Sequence, residues 1–306
     1  MNTIQQTIEN APSFRPENLI VSDVKWKYLV RSVLRGNNLM ITGPAGCGKT
    51  LAVSTVAKVM ERPFFYFNLG ATQDPRSSLI GNTHFNKDSG TYFADSTFVR
   101  AIQTEGAVIL LDELSRAHPE ASNILMTVLD DTQRYLRIDE SPSVPVVQVA
   151  KGVSFLATAN IGVEYTGTRE MDRALKDRFM ILEMDVLTKE QQALLIKQVC
   201  PSLSQSVIDI LTGIYNQIQN EVESGSGKIS TGISTRTILA ASSLICDGFS
   251  IKDSIEVCVF PYFSNDGGLD SERTYVRQIV QKFIPDEHLK DENMFNEKDA
   301  VNESPF

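Results

Sequence analysis

Residues 43–50 read GPAGCGKT, that is, Gly43-Pro44-Ala45-Gly46-Cys47-Gly48-Lys49-Thr50, and match the pattern G-x-x-x-x-G-K-[ST]. The apolar segment Asn38–Thr42 predicts a strand before this stretch, and Leu51–Met60 is predicted to form a helix after it. A glycine-rich turn in that position lets backbone N–H groups and the positive end of the helix surround phosphate oxygens. We expect Lys49 to neutralise the β- and γ-phosphate oxygens and Thr50 to ligate Mg²⁺. The alternative is a glycine-rich turn without a ligand, and the placement between strand and helix disfavours it.

A second apolar segment ends in two acids. Val108–Leu111 runs into Asp112 and Glu113, and burying a strand end beside two charges costs several kcal/mol unless a cation or hydrogen-bond donors compensate. Asp112 is therefore predicted to hold the magnesium shell, and Glu113 to orient and deprotonate an attacking water. An exposed acidic turn is the alternative for such a pair taken alone.

A third apolar segment, Val153–Ala159, ends in Asn160. Its amide carries both a donor and an acceptor, so it could hydrogen-bond a γ-phosphate and the attacking water together. Alone, Asn160 would be better interpreted as a turn residue at a strand end. The order of the three segments favours the catalytic interpretation.

Two arginines complete the candidate set. Arg178 ends a short charged segment before the last predicted strand, where it could reach a phosphate bound by a neighbouring subunit. The alternative is a salt bridge to Asp177 or Glu183. Arg236 follows Ser234, a predicted helix cap, and lies in a first helical turn, where the helix dipole disfavours a cation unless an anion is near.

The order of these segments predicts an α/β fold with a parallel, doubly wound five-stranded sheet. Beyond about Val186 the strand patterns stop, and a smaller helical domain is predicted, with a capping box at Thr188 and Gln191. The predicted divisions are a polar, irregular N-terminal arm (1–17), an α/β core (18–186), a helical lid domain (187–284) and an acidic, disordered tail (285–306). The lid helices after the first are predicted at Ser204–Glu223, Thr235–Cys246, Ile251–Phe260 and Ser271–Ile284.

Composition excludes several classes of protein. The chain has 306 residues with 42% hydrophobic and 22% charged residues, as soluble globular proteins have. No apolar run approaches the roughly 18 residues of a membrane span, and the N-terminal residues lack a basic start followed by an apolar stretch, so no secretion signal is expected. The four cysteines lack metal-site spacing and are interpreted as free thiols, which predicts a cytoplasmic protein. A net charge of −9 without a dense basic run disfavours nucleic acid as a partner.

The motifs GPAGCGKT, LLDELSRAHPEASNILMTVLDD, ATAN, ALKDRF and GISTRT, taken in this order, resemble the MoxR branch of AAA+ ATPases. That branch includes the CbbQ/NorQ-type activases and the CobS-type cobaltochelatase subunit. The resemblance covers roughly 17–284 and implies ATP and Mg²⁺ as cofactors. It implies nucleotide binding at Gly43–Thr50 and the adjacent Leu51, with catalytic roles for the acids and Asn160. It also implies an arginine finger at Arg178, with Arg173 as a second candidate, and a nucleotide-sensing Arg236.

The resemblance further implies hairpin insertions near 80–95 and 135–150, assembly into a homo-oligomeric, hexameric ring, and a protein partner with a von Willebrand A-type domain. The leading expectation is an ATP-driven machine that remodels or activates a protein, with metal or cofactor insertion as one purpose. The alternatives are the ATPase subunit of a metal chelatase, a nucleic-acid motor or loader, and a nucleotide-gated binding module without turnover. Guanine in place of adenine stays open, because the loops that select the base cannot be identified from the sequence.

Overall fold

The computed structural model describes residues 3–87, 90–139, 145–160, 171–225 and 227–284. The predicted tail, 285–306, lies outside the described residues. The chain divides into two compact units, Met1–Leu187 and Thr188–Phe306. No helix within the described part of the chain combines the length and the apolar character needed to cross a membrane.

The first unit contains strands and helices in alternation. Its strands are β1 (Leu39–Thr42), β2 (Phe64–Asn68), β3 (Gly81–Asn86), β4 (Gly90–Asp95), β5 (Val108–Asp112), β6 (Tyr135–Arg137), β7 (Val146–Gln148), β8 (Ser154–Ala159) and β9 (Met180–Glu183). Its helices are α1 (Thr3–Asn10), α2 (Asp23–Arg35), α3 (Lys49–Val59), α4 (Pro75–Leu79), α5 (Thr97–Ile102), α6 (Pro119–Val128) and α7 (Arg173–Lys176). Short 3₁₀ turns cover Ala11–Phe14 and Leu114–Arg116.

The central sheet has five parallel strands in the order β2-β5-β8-β1-β9. Every residue of β1, β5 and β8 is buried. Such uninterrupted burial is expected for parallel strands that are covered on both faces. One face packs against α5 and α6, and the other packs against α2 and α3. The predicted doubly wound α/β fold is confirmed.

Two antiparallel hairpins accompany the central sheet. In the first, β3 pairs with β4 from Gly81 opposite Asp95 to Asn86 opposite Gly90, and in the second, β6 pairs with β7. Phe85 on the first hairpin is 75% exposed, whereas Phe93 packs against the core.

The N-terminal segment is not the irregular arm that its polar sequence predicts. Residues 3–14 form α1 and a 3₁₀ turn, and both contact α2. The indole Nε1 of Trp26 donates a hydrogen bond to the carbonyl oxygen of Ala11 at 2.8 Å, and the Phe14 ring packs against Trp26 edge to face. Ala11 and Trp26 are both fully buried. The prediction was wrong because a few apolar anchors within a polar segment are enough to fix it on a hydrophobic core.

The second unit is helical, with α8 (Lys189–Val199), α9 (Gln205–Glu223), α10 (Thr235–Cys246), α11 (Ile251–Cys258) and α12 (Glu272–Gln281), and with 3₁₀ turns at Phe260–Tyr262 and Gly268–Asp270. The predicted capping box is present at the start of α8, where Thr188 and Gln191 each bond the backbone of the other. Helix α11 ends two residues earlier than predicted. Pro261 explains this, because a proline disfavours helical backbone at the residue before it.

Candidate active site

The glycine-rich loop lies between β1 and α3, as the motif predicts. Gly43, Gly46 and Gly48 all have positive φ angles, of 143°, 79° and 91°. At Gly43 a side chain is also excluded by space, since a Cβ atom would lie 2.4 Å from the carbonyl oxygen of Met184. The loop therefore keeps its curvature and its open backbone only because glycine occupies these positions.

Lys49 is the first residue of α3 and is buried. Its Nζ donates hydrogen bonds to the carbonyl oxygens of Gly43 and Pro44, both at 2.8 Å. The ammonium group is thus held on the inside of the loop. Burial raises the pKa of the neighbouring Cys47 thiol, although the Lys49 charge opposes this shift. Cys47 is therefore buried in the loop, where desolvation disfavours the thiolate form.

Asp112 ends β5 beside the start of α3, and three hydroxyl groups surround its carboxylate. Thr50 Oγ1 lies 3.2 Å from Asp112 Oδ1 and 3.4 Å from Oδ2. Thr158 Oγ1 donates a short hydrogen bond to Oδ1, and the Tyr66 hydroxyl donates to Oδ2 at 3.0 Å. Burial, followed by the hydrogen bond to Asp112, raises the pKa of the Tyr66 phenol.

These oxygens fit a magnesium ion. Mg²⁺ prefers oxygen ligands and is bound through one or two protein carboxylates and substrate phosphates. The Thr50 hydroxyl and the Asp112 carboxylate converge next to the phosphate loop, and no nitrogen or sulfur ligand is needed. Both predicted metal residues, Thr50 and Asp112, are therefore brought together.

Glu113 follows Asp112 in a left-handed backbone conformation, with φ 56° and ψ 39°. Such a conformation is rare for a residue other than glycine and is often found at functional sites. The Glu113 amide donates to Thr158 Oγ1 at 3.0 Å, and its carboxylate lies 3.6 Å from the Arg116 guanidinium. A Cβ atom on Gly70 would lie 2.3 Å from Glu113 Oε2, so this glycine makes room for the carboxylate.

Asn160 directly follows β8, which lies between β5 and β1 in the sheet. Ala159 is paired with Thr42, the residue before the loop, and Ala157 is paired with Leu111, the residue before Asp112. Because parallel strands end at the same edge, Asn160 is flanked by the loop on one side and by the acidic pair on the other.

Arg178 lies at the opposite edge of the sheet. Asn38 Nδ2, next to the amino end of β1, donates to the Arg178 carbonyl oxygen at 3.1 Å. The Arg178 guanidinium donates to the carbonyl oxygens of Met126 at 2.9 Å and Ala174 at 2.7 Å, and it forms an ion pair with Asp130 at 3.6 Å. Arg178 thus forms its ion pair with Asp130, and not with Asp177 or Glu183 as the sequence suggested.

The two other candidate arginines, Arg173 and Arg236, are exposed. Arg173 is the first residue of α7, after the capping residue Asp172. Arg236 is the second residue of α10 in the second unit. Ser234 occupies the cap position of α10, but its hydroxyl contacts the Thr237 hydroxyl, 3.3 Å away, instead of a backbone amide.

Three further residues, Tyr66, Gly70 and Thr158, contact the acidic pair and are not among the predicted site residues. Residues two apart on a strand point to the same face, and this alternation could have identified two of them. Thr158 lies two residues before Asn160 at the end of β8, and Tyr66 lies two residues before the end of β2. Nothing in the sequence indicates that Gly70 approaches Glu113.

The fold and this arrangement of residues define a P-loop nucleoside triphosphatase. The family model for the AAA domain (dynein-related subfamily) matches residues 38–179. The curated protein named "Putative chaperone BssE" from Thauera aromatica is 33% identical over 220 residues, which are 71% of this chain and 72% of that protein. The chain belongs to the AAA ATPase family and is an ATPase.

Two further proteins are similar to this chain. An uncharacterised protein from Staphylococcus saprophyticus is 33% identical over 165 residues, which are 53% of this chain and 60% of that protein. A crystal structure of a "putative ATPase" from Cytophaga hutchinsonii is 19% identical, with a TM-score of 0.47, and the match covers 92% of this chain and 94% of that one.

Proposed function

We propose that this chain binds ATP with Mg²⁺ at Gly43–Leu51 and hydrolyses it with the residues at the carboxyl edge of the sheet. The observation that carries the proposal is the contact of Thr50 with Asp112, 3.2 Å apart, beside the buried Lys49. The Asp112 carboxylate and the Lys49 ammonium group are both buried, and buried charges are costly unless they are paired or hydrogen-bonded, so a bound cation and phosphate oxygens would suit them.

Each residue then has a separate task. The backbone N–H groups of the loop bind phosphate oxygens, and the Lys49 ammonium exchanges its carbonyl partners for those oxygens. Thr50 and Asp112 hold the cation, which neutralises charge on the phosphate oxygens when it is bound. Glu113 accepts a proton from the attacking water, and Asn160 orients that water against the terminal phosphate. Arg236 is proposed as the nucleotide-sensing arginine.

The position of Arg178 supports a site shared between subunits. Arg178 lies near the amino end of β1, whereas the loop begins after the carboxyl end of this strand. Four strand residues span roughly 13 Å, which is more than an arginine side chain can reach. We propose that Arg178 acts on nucleotide held by the next subunit of a hexameric ring, with the exposed Arg173 as the alternative.

A protein is the proposed target of this ring. The support is the name of the Thauera aromatica relative, which describes a chaperone, together with the exposed Phe85 on the first hairpin. More specifically, we propose an ATPase of the MoxR type whose protein partner carries a von Willebrand A-type domain. The ATPase subunit of a metal chelatase is the second candidate within this class.

Lysine 49 offers the direct test of nucleotide binding. We expect Lys49→Ala to weaken ATP binding by a factor of about 100 or more, because it removes a buried countercharge to the phosphates. Isothermal calorimetry with ATP and Mg²⁺ measures this affinity. Lys58→Ala, at the exposed end of the same helix, is the matched control and should bind ATP as the unmodified protein does. A folded Lys49→Ala protein with unchanged affinity would refute the assignment of the loop.

The response to nucleic acid distinguishes a protein-remodelling ATPase from a nucleic-acid motor or loader. Because the net charge is −9, we expect DNA to bind weakly, with strong salt dependence, and to leave the ATPase rate unchanged. The measurement is phosphate release with and without single- and double-stranded DNA at about 0.15 M salt. Strong stimulation by either form would favour the motor.

A further inference from the structure

The Asp112 carboxylate receives hydrogen bonds from three different elements of the first unit. Thr50 belongs to α3, Thr158 to β8 and Tyr66 to β2. A carboxylate has about four lone-pair positions, so this one is largely saturated by hydroxyl donors. The three donors therefore fix its orientation.

Tyr66 reaches this carboxylate from the edge of the sheet. It is paired with Leu110 and lies two residues before Asn68, which is paired with Asp112. Residues two apart on a strand share a face, so Tyr66 and Asp112 lie on the same face of neighbouring strands. Leu110 packs in the core that includes α3, which identifies this face as the one that carries Thr50. Tyr66 is 48% exposed, so core packing does not explain a tyrosine here.

The proposed function gives Thr50 a different partner when the nucleotide is bound. Its hydroxyl would then ligate the cation instead of hydrogen-bonding Asp112. Thr158 and Tyr66 would still donate hydrogen bonds to Oδ1 and Oδ2 of Asp112. Hydrogen-bond partners of metal-binding carboxylates orient them, and their loss costs 10- to 100-fold in metal affinity or activity in other proteins.

We infer that Tyr66 is a positioning residue that holds the Asp112 carboxylate in the orientation needed for the divalent cation. This inference rests on the proposed function of Asp112. The edge strand β2 then contributes to the affinity for the divalent cation. The contribution comes from the phenolic hydroxyl of Tyr66 and not from its ring.

The test is Tyr66→Phe, which removes one oxygen and keeps the ring. We expect about tenfold weaker binding of Mn²⁺ to the complex with a non-hydrolysable ATP analogue, measured by the electron paramagnetic resonance signal of free Mn²⁺. The Mg²⁺ concentration for half-maximal ATPase activity should rise by a similar factor. Affinity for the analogue in EDTA, measured by calorimetry, should not change, because the hydroxyl acts through Asp112 on the metal alone.

Two controls isolate the hydroxyl group. Tyr28→Phe removes the same atom from α2 and should leave metal binding unchanged. Phe64→Leu alters the same face of β2, 39% exposed, without touching Asp112, and reports any effect of disturbing the edge strand.

Asp112→Asn separates failure of this inference from failure of the proposed function. If Asp112→Asn weakens Mn²⁺ binding and Tyr66→Phe does not, the inference about Tyr66 is wrong and the metal site stands. If Asp112→Asn has no effect on Mn²⁺ binding, both are wrong. Equal losses with metal and in EDTA for Tyr66→Phe would also overturn the inference, since they would indicate a general structural defect.

Discussion

Arg178→Ala should lower ATP turnover by a factor of about 1,000 while ATP still binds. The transferred phosphoryl group spreads negative charge over its oxygens, and an arginine from a neighbouring subunit is the proposed source of the missing positive charge. Arg178 contacts Met126, Ala174 and Asp130 at the amino edge of its own sheet. It is therefore distant from the phosphate-binding loop of its own chain, which lies at the carboxyl edge. Phosphate release and calorimetry on the same preparation measure the two quantities.

Mixing two inactive variants shows whether the site is shared. Arg178→Ala subunits keep an intact loop, and Lys49→Ala subunits keep an intact arginine. In a random one-to-one mixed ring, about a quarter of the interfaces pair an intact loop with an intact arginine, so activity should partly return. Sites completed within one chain would show no recovery, once light scattering or labelled subunits confirm that mixed rings form.

The network around Arg178 requires its own control. The two hydrogen bonds to backbone oxygens contribute about 1–2 kcal/mol to stability, so Arg178→Ala could lose activity through local unfolding. Asp130→Asn removes the ion-pair partner and leaves the arginine in place. We expect it to retain most of the activity, and thermal melting to show a smaller loss of stability than Arg178→Ala. If Asp130→Asn were as inactive as Arg178→Ala, the arginine would be structural, and the same mixing test on Arg173→Ala would decide its alternative.

Glu113→Gln is expected to bind ATP normally and to turn it over at least about 100 times more slowly. Glutamine keeps the shape of the side chain beside Gly70 but cannot accept a proton from water. The Glu113 backbone amide still bonds Thr158, so the strand end should keep its conformation. Single-turnover hydrolysis under saturating ATP measures the chemical step.

The control for Glu113→Gln is Glu105→Gln, an exposed glutamate just before β5. It changes the net charge by the same amount and should leave the rate unaffected. Normal turnover in Glu113→Gln would mean that another group deprotonates the water, and the role of Glu113 would be withdrawn.

The sequence predicts the sheet and the loop because local signals and the fold agree there. Val108–Leu111 is apolar throughout, and Val153–Ala159 is apolar apart from Ser154 and Thr158, as expected for strands that are buried on both faces. The spacing of glycines around Lys49 and Thr50 is dictated by phosphate geometry, so the motif identifies its own position in the fold.

Long-range contacts could not be predicted in this way. The burial of Ala11 depends on Trp26 in the next helix, and the ion-pair partner of Arg178 is 48 positions earlier in the chain, at Asp130. Tyr66 approaches Asp112 because β2 and β5 are neighbours in the sheet, and a single sequence does not reveal strand order. The structure supplies these pairings, and two of them concern the candidate site.

The placement of the loop and of Arg178 at opposite edges of one sheet has a consequence for symmetry. In a dimer with a two-fold axis, one interface would have to contain both the loop edge and the Arg178 edge of each subunit. In a head-to-tail contact, by comparison, the loop edge of one subunit meets only the Arg178 edge of the next. Such a contact repeats until it closes on itself, or else winds on as an open helix. The size of the assembly is then set by the angle between successive subunits, and a small change at this contact would convert a closed ring into a filament.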